Sequence, residues 1–322
     1  MHPRSARAET PDVCVFAPSL ILAITVEPSA ARHTQAEIHL HPAGQAFWIA
    51  RMLRNLGERP VLVAAVGGES GRVLRHLMSE WEIELDSIDT EEASAAYVHD
   101  RRDGQRREIA RSDAPVLDRH ETDDLYGRVL HRASASGTCV VTGRAPGDGL
   151  PLDFYRRLGA DLRSVGVRAI GDLHGDELSA FLDGGSLHTL KMSDEDLAAD
   201  ETLPAGASFE QRLDVVGCRR LRNVERVVLS SGDAPTVARF GDTRLRADAP
   251  MLEIADHRGS GDAMTAGLTV GALHGLGPER TLQLACAAGA ANVTRHGLGN
   301  VDVALVESLA ERVDVRLVPE EA

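Results

Sequence analysis

Aromatic residues and positive charge are both scarce in this chain. Phe, Trp and Tyr together make up 3% of its 322 residues, and the formal net charge is −14. Stacking on nucleic-acid bases needs aromatic rings, and binding to phosphate backbones needs clustered Lys and Arg. The composition therefore argues against a nucleic-acid-binding surface.

Cysteine is also rare, and long apolar runs are missing. Cys14, Cys139, Cys218 and Cys286 are far apart, with neither a metal-ligand spacing nor the pattern of a disulfide framework, so a reducing compartment is expected. No apolar run approaches membrane-spanning length. Residues 1–12 are polar and lack the apolar core of a signal peptide, so they are expected to form a tail. These features favour a cytoplasmic protein that does not bind membranes.

The most informative stretch runs from Ile254 to Gly275. Gly259, Ser260 and Gly261 predict a turn of small residues, and Asp262 follows just as an apolar, helix-compatible run begins. Such a turn directs backbone N–H groups toward one point at the positive end of a helix, which makes an anion site. A carboxylate there would repel a bound phosphate unless a metal or a reacting hydroxyl lies between them. A general base for phosphoryl transfer needs that arrangement.

The same tetrapeptide also has a simpler interpretation. Asp is favoured at helix N-termini for capping alone, so Gly-Ser-Gly-Asp without its flanks more often marks an ordinary loop before a buried helix. The residues that flank this tetrapeptide are needed to distinguish an anion site from an ordinary helix cap.

The rest of the chain alternates short apolar strands with amphipathic helices. The strand Val61 to Val66, the glycine turn Gly67 to Gly71 and the helix Arg72 to Trp81 form one predicted parallel-sheet unit. Repetition of such units predicts a single α/β domain over residues 13–318. We expect a parallel-rich sheet with helices on both faces and ligands at the carboxyl ends of its strands.

Two other segments do not fit this alternation. Residues 22–41 contain short alternating strands, and residues 93–111 read as a hairpin around an Asp-Gly turn. Together they predict a small second sheet that stands off the main one as a lid.

The segment around Asp262, with Leu282 to Gly299 after it, resembles the C-terminal signature of the ribokinase-like (PfkB) carbohydrate kinases. The resemblance is closest to the 1-phosphofructokinase and tagatose-6-phosphate kinase branch. It implies a ribokinase-like fold, ATP and Mg²⁺ as cofactors, Asp262 as catalytic base, and the Gly259 to Gly261 backbone as the holder of the transferring phosphate. Arg258, directly before the turn, is a candidate to neutralise phosphate charge, although a solvated loop position explains it as well.

On the nucleotide side, the resemblance implies five further residues. Ser193 and Asp196 occupy the positions of an Asn and a Glu that organise magnesium and phosphates in the family, and their oxygens suit a hard cation directly or through water. Ser230 and Gly232 match a Ser-x-Gly that borders the nucleotide. Asn292 falls where the family has a residue near the base. Asp196 is the one predicted metal organiser, acting indirectly, and the nearby Lys191 is interpreted as structural.

On the substrate side, the family motif is altered. Gly44 is retained, but Gln45 and Trp48 replace a lysine and a sugar-binding asparagine, while Ile21 and Ala95 replace an aspartate and a phosphate-binding arginine. Each replacement removes a group that would hydrogen-bond a hydroxyl or phosphate. Trp48, at what the spacing predicts to be a helical surface position, either packs or stacks on a ligand. Gly44, Gln45 and Trp48 are the predicted substrate contacts, and the acceptor is not identified.

Three functional interpretations follow from this pattern. The first is a kinase that phosphorylates a small sugar, polyol or sugar phosphate. The second is a catalytically reduced relative that senses a nucleotide or sugar, which the altered substrate motif favours and the retained Asp262 opposes. The third is a kinase for a nucleoside-like alcohol, suggested by Trp48. Because members of the family often dimerise through their lids, a homodimer through the lid is also expected.

Overall fold

The computed structural model describes residues 11–29, 35–145, 147, 149–232, 234–250, 252–253, 258–294 and 301–319. Most of the predicted tail (residues 1–10) and parts of the C-terminal signature (254–257 and 295–300) lie outside the described residues.

The strands within these residues are β1 (Val13–Ala17), β2 (Ile21–Pro28), β3 (Ala36–Ala43), β4 (Pro60–Gly67), β5 (Glu84–Thr90), β6 (Ala96–Asp100), β7 (Arg107–Ser112), β8 (Thr138–Thr142), β9 (Arg168–Asp172), β10 (Thr189–Ser193), β11 (Arg226–Ser231), β12 (Ala234–Phe240), β13 (Thr243–Asp248) and β14 (Asp314–Leu317). The helices are α1 (Gln45–Asn55), α2 (Gly68–Glu80), α3 (Arg119–Ser136), α4 (Leu152–Ser164), α5 (Gly175–Gly184), α6 (Asp194–Ala199), α7 (Phe209–Gly217), α8 (Ser260–Leu273), α9 (Pro278–Val293) and α10 (Val303–Ala310).

Ten strands form the main sheet, in the order β14-β13-β12-β11-β10-β9-β8-β1-β4-β5. The seven strands from β11 to β5 are parallel, and the three at the other edge are antiparallel. β1 and β4 are apolar along almost their whole length and fully buried, because helices cover both faces of a parallel sheet. The predicted α/β architecture is confirmed.

Four strands form the predicted second sheet, in the order β3-β2-β6-β7. β2 pairs antiparallel with β3 and parallel with β6, and β6 and β7 form the predicted hairpin. We call this sheet the lid. The strand bounds lie within a few residues of those expected from the alternating pattern.

The N-terminus of α8 is positioned by close packing against α9. A Cβ on Gly267 would lie 2.6 Å from the Cα of Ala285, and one on Gly289 would lie 3.2 Å from the carbonyl oxygen of Ser260. Small residues therefore bring the two backbones together at both ends of the contact. This packing explains why α9 is rich in Ala and has a glycine at position 289.

We expect Gly267→Ala to lower the free energy of unfolding by about 1–3 kcal/mol, because the new methyl group would overlap the α9 backbone. The matched control is Gly127→Ala in α3, where an added Cβ meets nothing within 4 Å and the backbone φ is not positive. That change should stabilise the helix by roughly 0.5–1 kcal/mol. Urea unfolding of both variants tests the difference. If the Gly267→Ala and Gly127→Ala variants had the same free energy of unfolding, α8 and α9 would be able to move apart at little cost.

One predicted boundary is wrong. The glycine turn expected at Gly67 to Gly71 is the end of β4 and the first turn of α2, which begins at Gly68 and not at Arg72. Gly68 has a φ of 63°, and a Cβ there would lie 2.6 Å from that of Ala93, so the glycine is needed where strand passes directly into helix.

Two expectations from composition can be compared with the structure. All four cysteines are free. Among the described helices, none has the length and apolar character needed to cross a bilayer.

Candidate active site

The predicted anion turn lies at the start of α8. Gly259 is the N-cap residue and adopts the left-handed conformation, with φ 70° and ψ 4°, which glycine reaches without steric cost. Its carbonyl oxygen accepts a hydrogen bond from the N–H of Ala263 at 2.9 Å, and no side chain caps the helix. The first-turn N–H groups, including those of Ser260 and Gly261, therefore have no intrahelical or capping acceptor and can receive an anion.

A buried lysine lies directly against this turn. A Cβ on Gly261 would lie 2.6 Å from the Nζ of Lys191, so the lack of a side chain at Gly261 lets the ammonium group lie directly against the turn. Lys191 projects from β10 and is 5% exposed. The turn therefore has N–H groups without an intrahelical or capping acceptor and a positive charge beside it, which together favour a phosphate.

Lys191 is held by a carboxylate on the neighbouring strand. The parallel register pairs Lys191 of β10 with Asp172 of β9, and Nζ lies 3.4 Å from the Asp172 Oδ1. The hydroxyl of Thr265, in the first turns of α8, donates to the Asp172 Oδ2 at 2.6 Å and lies 3.1 Å from the Gly261 carbonyl oxygen. This set joins the carboxyl ends of two strands to the start of α8.

Asp262 is the third residue of α8 and is partly buried. Burial, together with the negative charges of Asp172 and Asp196, raises the pKa of the Asp262 carboxyl to about 8, and Lys191 partly opposes this rise. A carboxyl group with a pKa near neutrality is suited to exchange a proton with an acceptor hydroxyl.

Burial also raises the pKa of Asp172, although Lys191 and Thr265 act in the opposite direction. For Lys191, burial lowers the pKa, but the carboxylates Asp172, Asp196 and Asp262 outweigh it, so the pKa is raised and the ammonium stays charged. Carboxyls with raised pKa values clustered at the start of a helix are typical of functional sites.

The predicted magnesium organisers Ser193 and Asp196 form the capping box of α6. The Asp196 Oδ2 accepts from the Ser193 N–H at 3.0 Å, and the Ser193 Oγ accepts from the Asp196 N–H at 3.1 Å. The Asp196 Oδ1 lies 4.0 Å from the Nε2 of His174. Among the described residues, no group of three or more His, Cys, Asp or Glu side chains could hold a metal ion by itself. An indirect role of Asp196 in holding Mg²⁺ therefore stays a prediction.

The predicted nucleotide contacts on β11 lie beside these residues. The register pairs Ser230 with Ser193, and the Ser230 Oγ donates to the Met192 carbonyl at 3.3 Å. Gly232 follows the strand with a φ of 36°. The structure therefore brings Ser193, Asp196 and Ser230 to one edge of the sheet, while their binding of a nucleotide stays a prediction.

Asn292 has a structural contact that the sequence did not indicate. It is buried on α9, and its Nδ2 donates to the Arg258 carbonyl oxygen at 2.8 Å. This bond holds the residue before the anion turn against α9. A contact between Asn292 and a nucleotide base stays a prediction.

The predicted substrate residues lie at the start of α1, below the lid. Gly44 is the N-cap residue, with a φ of 105°, and a Cβ there would lie 2.7 Å from the Ser19 carbonyl oxygen. Gln45 is the first helical residue, and Trp48 lies one turn later. The expected surface position of Trp48 is wrong, because the residue is 9% exposed and contacts Phe47 with ring centroids 4.8 Å apart. Ile21 and Ala95 are also buried.

A separate cavity of about 460 Å³ lies at the start of α5. It is lined by His174, Gly175, Asp176, Glu177, Ser179, Asp200, Thr202 and Arg220. None of the predicted site residues lines it, so the cavity is distinct from the Asp262 centre.

The sequence matched Asp172 to a strand-end motif of the family but indicated no role for it, gave no signal at Thr265, and suggested only a structural role for Lys191. A usable signal was present, because Lys191 and Asp172 each occur at the end of an apolar strand, where an unpaired charge would be costly.

Residues 11–304 match the pfkB family of carbohydrate kinases. Among solved structures, phosphofructokinase-2 from Escherichia coli is 19% identical, with a TM-score of 0.81, and the match covers 94% of this chain and 99% of that one. A possible 1-phosphofructokinase from Thermotoga maritima is 16% identical, with a TM-score of 0.81, and the match covers 95% of this chain and 99% of that one. At these identities the solved structures establish the shared fold, and the family match extends over most of the sequence. The chain is therefore a ribokinase-like enzyme that belongs to the pfkB family of carbohydrate kinases.

Proposed function

We propose that this enzyme transfers the γ-phosphate of ATP to a hydroxyl of a small sugar, polyol or sugar phosphate, with Asp262 as general base. One observation carries the proposal: the Asp262 carboxyl lies in the first turn of α8, beside uncapped N–H groups and next to Lys191. A helix capped only for stability needs neither a buried cation nor a raised carboxyl pKa at its start.

In this proposal, Asp262 accepts the proton of the acceptor hydroxyl as that oxygen attacks the γ-phosphorus, the bond from the γ-phosphorus to the β,γ-bridging oxygen breaks, and ADP leaves. The N–H groups of Ser260 and Gly261 donate to the oxygens of the phosphoryl group as it is transferred, and Lys191 offsets the negative charge of that group. Arg258, one residue before the turn, is a further candidate for that charge. Mg²⁺, bound with ATP, would neutralise phosphate charge, and Ser193 and Asp196 are the residues that would hold it through water.

The test is ADP release that depends on Mg²⁺ and ATP, measured over ketose phosphates, free sugars, polyols and nucleosides. Turnover on one class supports the kinase proposal and names the acceptor class. Tight ATP binding without turnover on any of them would overturn it in favour of the nucleotide-binding sensor. A nucleoside acceptor loses its main support here, because the Trp48 ring packs on Phe47 within the core.

We also propose that the enzyme is a homodimer through the outer face of the lid. Ile38 and Leu40, which lie on one face of β3, are large apolar side chains that are respectively 64% and 44% exposed. An exposed apolar sheet surface of this kind is typical of an interaction site. Phosphofructokinase-2 from Escherichia coli, a structural neighbour, has a tetrameric inhibited form.

We expect light scattering after size exclusion to give the dimer mass for the wild type and the monomer mass for the Ile38→Glu/Leu40→Glu variant. Val165→Glu, at an exposed apolar position at the end of α4, is the control and should remain dimeric. A monomeric wild type at micromolar concentration would remove the proposal. The cytoplasmic location and the single-domain boundaries expected from the sequence stay predictions.

A further inference from the structure

A β-bulge interrupts the pairing of β11 with β12 at one of the predicted nucleotide contacts. The register shifts between Leu229 and Ser231. Ser230 therefore lies opposite two residues of β12, Pro235 and Thr236. A bulge bends its strand and re-aims the side chains beside it, and bulges are common next to active sites. The conformation of this bulge thus affects the direction of Ser230 and of the residues that follow it.

Arg212 holds the bulge from α7. Its Nη1 donates a hydrogen bond to the Pro235 carbonyl oxygen at 2.8 Å. Proline has no N–H for the ladder, and the shifted register makes the pairing irregular at this point, so a bond from outside the sheet fixes the Pro235 backbone. Because α7 packs along β12 and buries Leu213 and Val216 in the core, this bond ties the bulge to a fixed helix.

The burial of Arg212 indicates that this bond has a purpose beyond stability. The residue is 4% exposed, and its Nε is buried without a hydrogen-bond partner among the described residues. The Phe209 ring, whose centroid lies 5.9 Å from the guanidinium carbon, offsets only part of the desolvation cost of the charge. An apolar side chain at this position of α7 would avoid that cost. The arginine is therefore better explained by the backbone that it fixes.

The residues after the bulge are also tied to α6. The Ser231 hydroxyl donates to the Asp194 Oδ2. Asp194 is the first residue of α6, and the capping box of that helix contains the predicted magnesium organisers Ser193 and Asp196. The segment from Ser230 to Gly232, which we call the nucleotide turn, is therefore bonded directly to α6 and held by α7 through the bulge.

We propose that Arg212 and Asp194 are positioning residues for the nucleotide, and that together they hold the nucleotide turn in the conformation that binds ATP. Neither side chain contacts the nucleotide in this proposal. Arg212 acts through the Pro235 carbonyl, and Asp194 acts through the Ser231 hydroxyl. Without these bonds the turn would have to be ordered at each binding event, and this ordering cost weakens binding. The inference rests on the proposed kinase function and names residues that set the nucleotide affinity of the same site.

Arg239 provides a matched control on the same strand. Its guanidinium also donates to backbone carbonyls around α7, at distances of 2.8–2.9 Å, and these belong to Val216, Leu221, Val224 and Gly241. Arg239 lies near the end of β12 that is opposite the bulge. Arg239→Met should therefore lower stability, because it removes several hydrogen bonds, without changing nucleotide binding.

Arg212→Met should raise the dissociation constant for MgADP, measured by isothermal titration, about 10-fold, the value of one hydrogen bond to a charged group. KM for MgATP should rise by a similar factor, while kcat and KM for the acceptor stay nearly constant, because Asp262 and the start of α8 are unaltered. Arg212→Lys, which keeps a charged donor for the Pro235 carbonyl, should bind MgADP more tightly than Arg212→Met. Wild-type affinity in Arg212→Met, or an equal loss in Arg239→Met, would overturn the role of Arg212.

Asp194→Ala tests the nucleotide turn without altering the core, and so keeps the test decisive if Arg212→Met does not fold. Removal of a carboxylate by itself favours an anionic ligand, so weaker binding would have to come from the lost hydrogen bond. We expect the dissociation constant for ADP without magnesium to rise about 3- to 10-fold. The metal-free measurement excludes lost magnesium coordination as the cause. Unchanged or tighter binding of ADP would overturn the proposal for the turn.

Nucleotide titration also separates this inference from the kinase function. Binding of ADP that weakens in Arg212→Met and Asp194→Ala, in a protein that phosphorylates none of the acceptors, would support the positioning role and contradict the kinase. Phosphorylation of an acceptor with the same KM for MgATP in the wild type and in both variants would do the reverse.

Discussion

Asp262→Asn is expected to lower kcat by roughly 10²- to 10⁴-fold, the usual contribution of a positioned general base. The amide has nearly the same size and shape as the carboxyl but cannot accept the hydroxyl proton. Since the N–H groups of α8 and Lys191 remain, MgATP should bind with little change. Single-turnover ADP formation and nucleotide titration measure the two quantities separately.

The matched control is Asp153→Asn, which removes a carboxylate from the first turn of α4. This residue is exposed and bonded to Arg156, so the change should leave kcat unaltered. A fully active Asp262→Asn variant would remove Asp262 as the base. A variant with equal losses in ATP affinity and kcat would assign Asp262 to nucleotide binding.

Lys191→Met is expected to lower the free energy of unfolding by about 3–5 kcal/mol, because it leaves the buried Asp172 without its cation. Lys191 and Asp172 are 5% and 4% exposed, so water cannot replace the lost contact. Denaturant unfolding measures the loss. Arg54→Met is the control, since Arg54 pairs with Glu82 at the surface and should contribute less than about 1 kcal/mol.

The loss in Lys191→Met should also depend on pH. The pKa values of Asp172 and Asp262 are raised in the folded protein, so lowering the pH favours the protonated carboxyls, for which the missing ammonium matters less. The pKa of Asp262 is about 8 with Lys191 present, and because Lys191 lowers it, the carboxyl of the folded variant should ionise only at higher pH. The variant should therefore be less stable, relative to wild type, at pH 9 than at pH 6.

The double variant Asp172→Asn/Lys191→Met checks the cause. Because neither charge remains, it should lose less stability than the sum of the two single changes. Additive losses would mean that the two side chains stabilise the fold through separate packing contacts.

The large elements of the fold were predictable because their apolar patterns are strong. β1 and β4 are nearly continuous apolar runs, and α1 and the lid hairpin have clear spacing or turn residues. By contrast, β5 was missed, because the sequence Glu-Leu-Asp-Ser-Ile-Asp-Thr is mostly polar. It forms a strand because β4 offers it an unpaired edge, and an edge strand needs little apolar surface.

The candidate site was predictable only in part. The Gly259 to Asp262 segment predicts a turn followed by a helix, since glycines and a following apolar run are local signals. Lys191 and Asp172 give weaker signals, because they are 19 residues apart and belong to different strands. Their pairing follows from the register of β9 with β10, which no local pattern specifies.

The sequence alone determined the α/β class, the glycine turn before α8 and the position of Asp262 in its first turn, because each depends on residues that are neighbours in the chain. The tertiary structure decided that Lys191 lies against Gly261 and that Asn292 anchors the residue before the turn. These contacts join segments that are distant in sequence. Their electrostatic effect depends on separation and burial, and folding alone sets both.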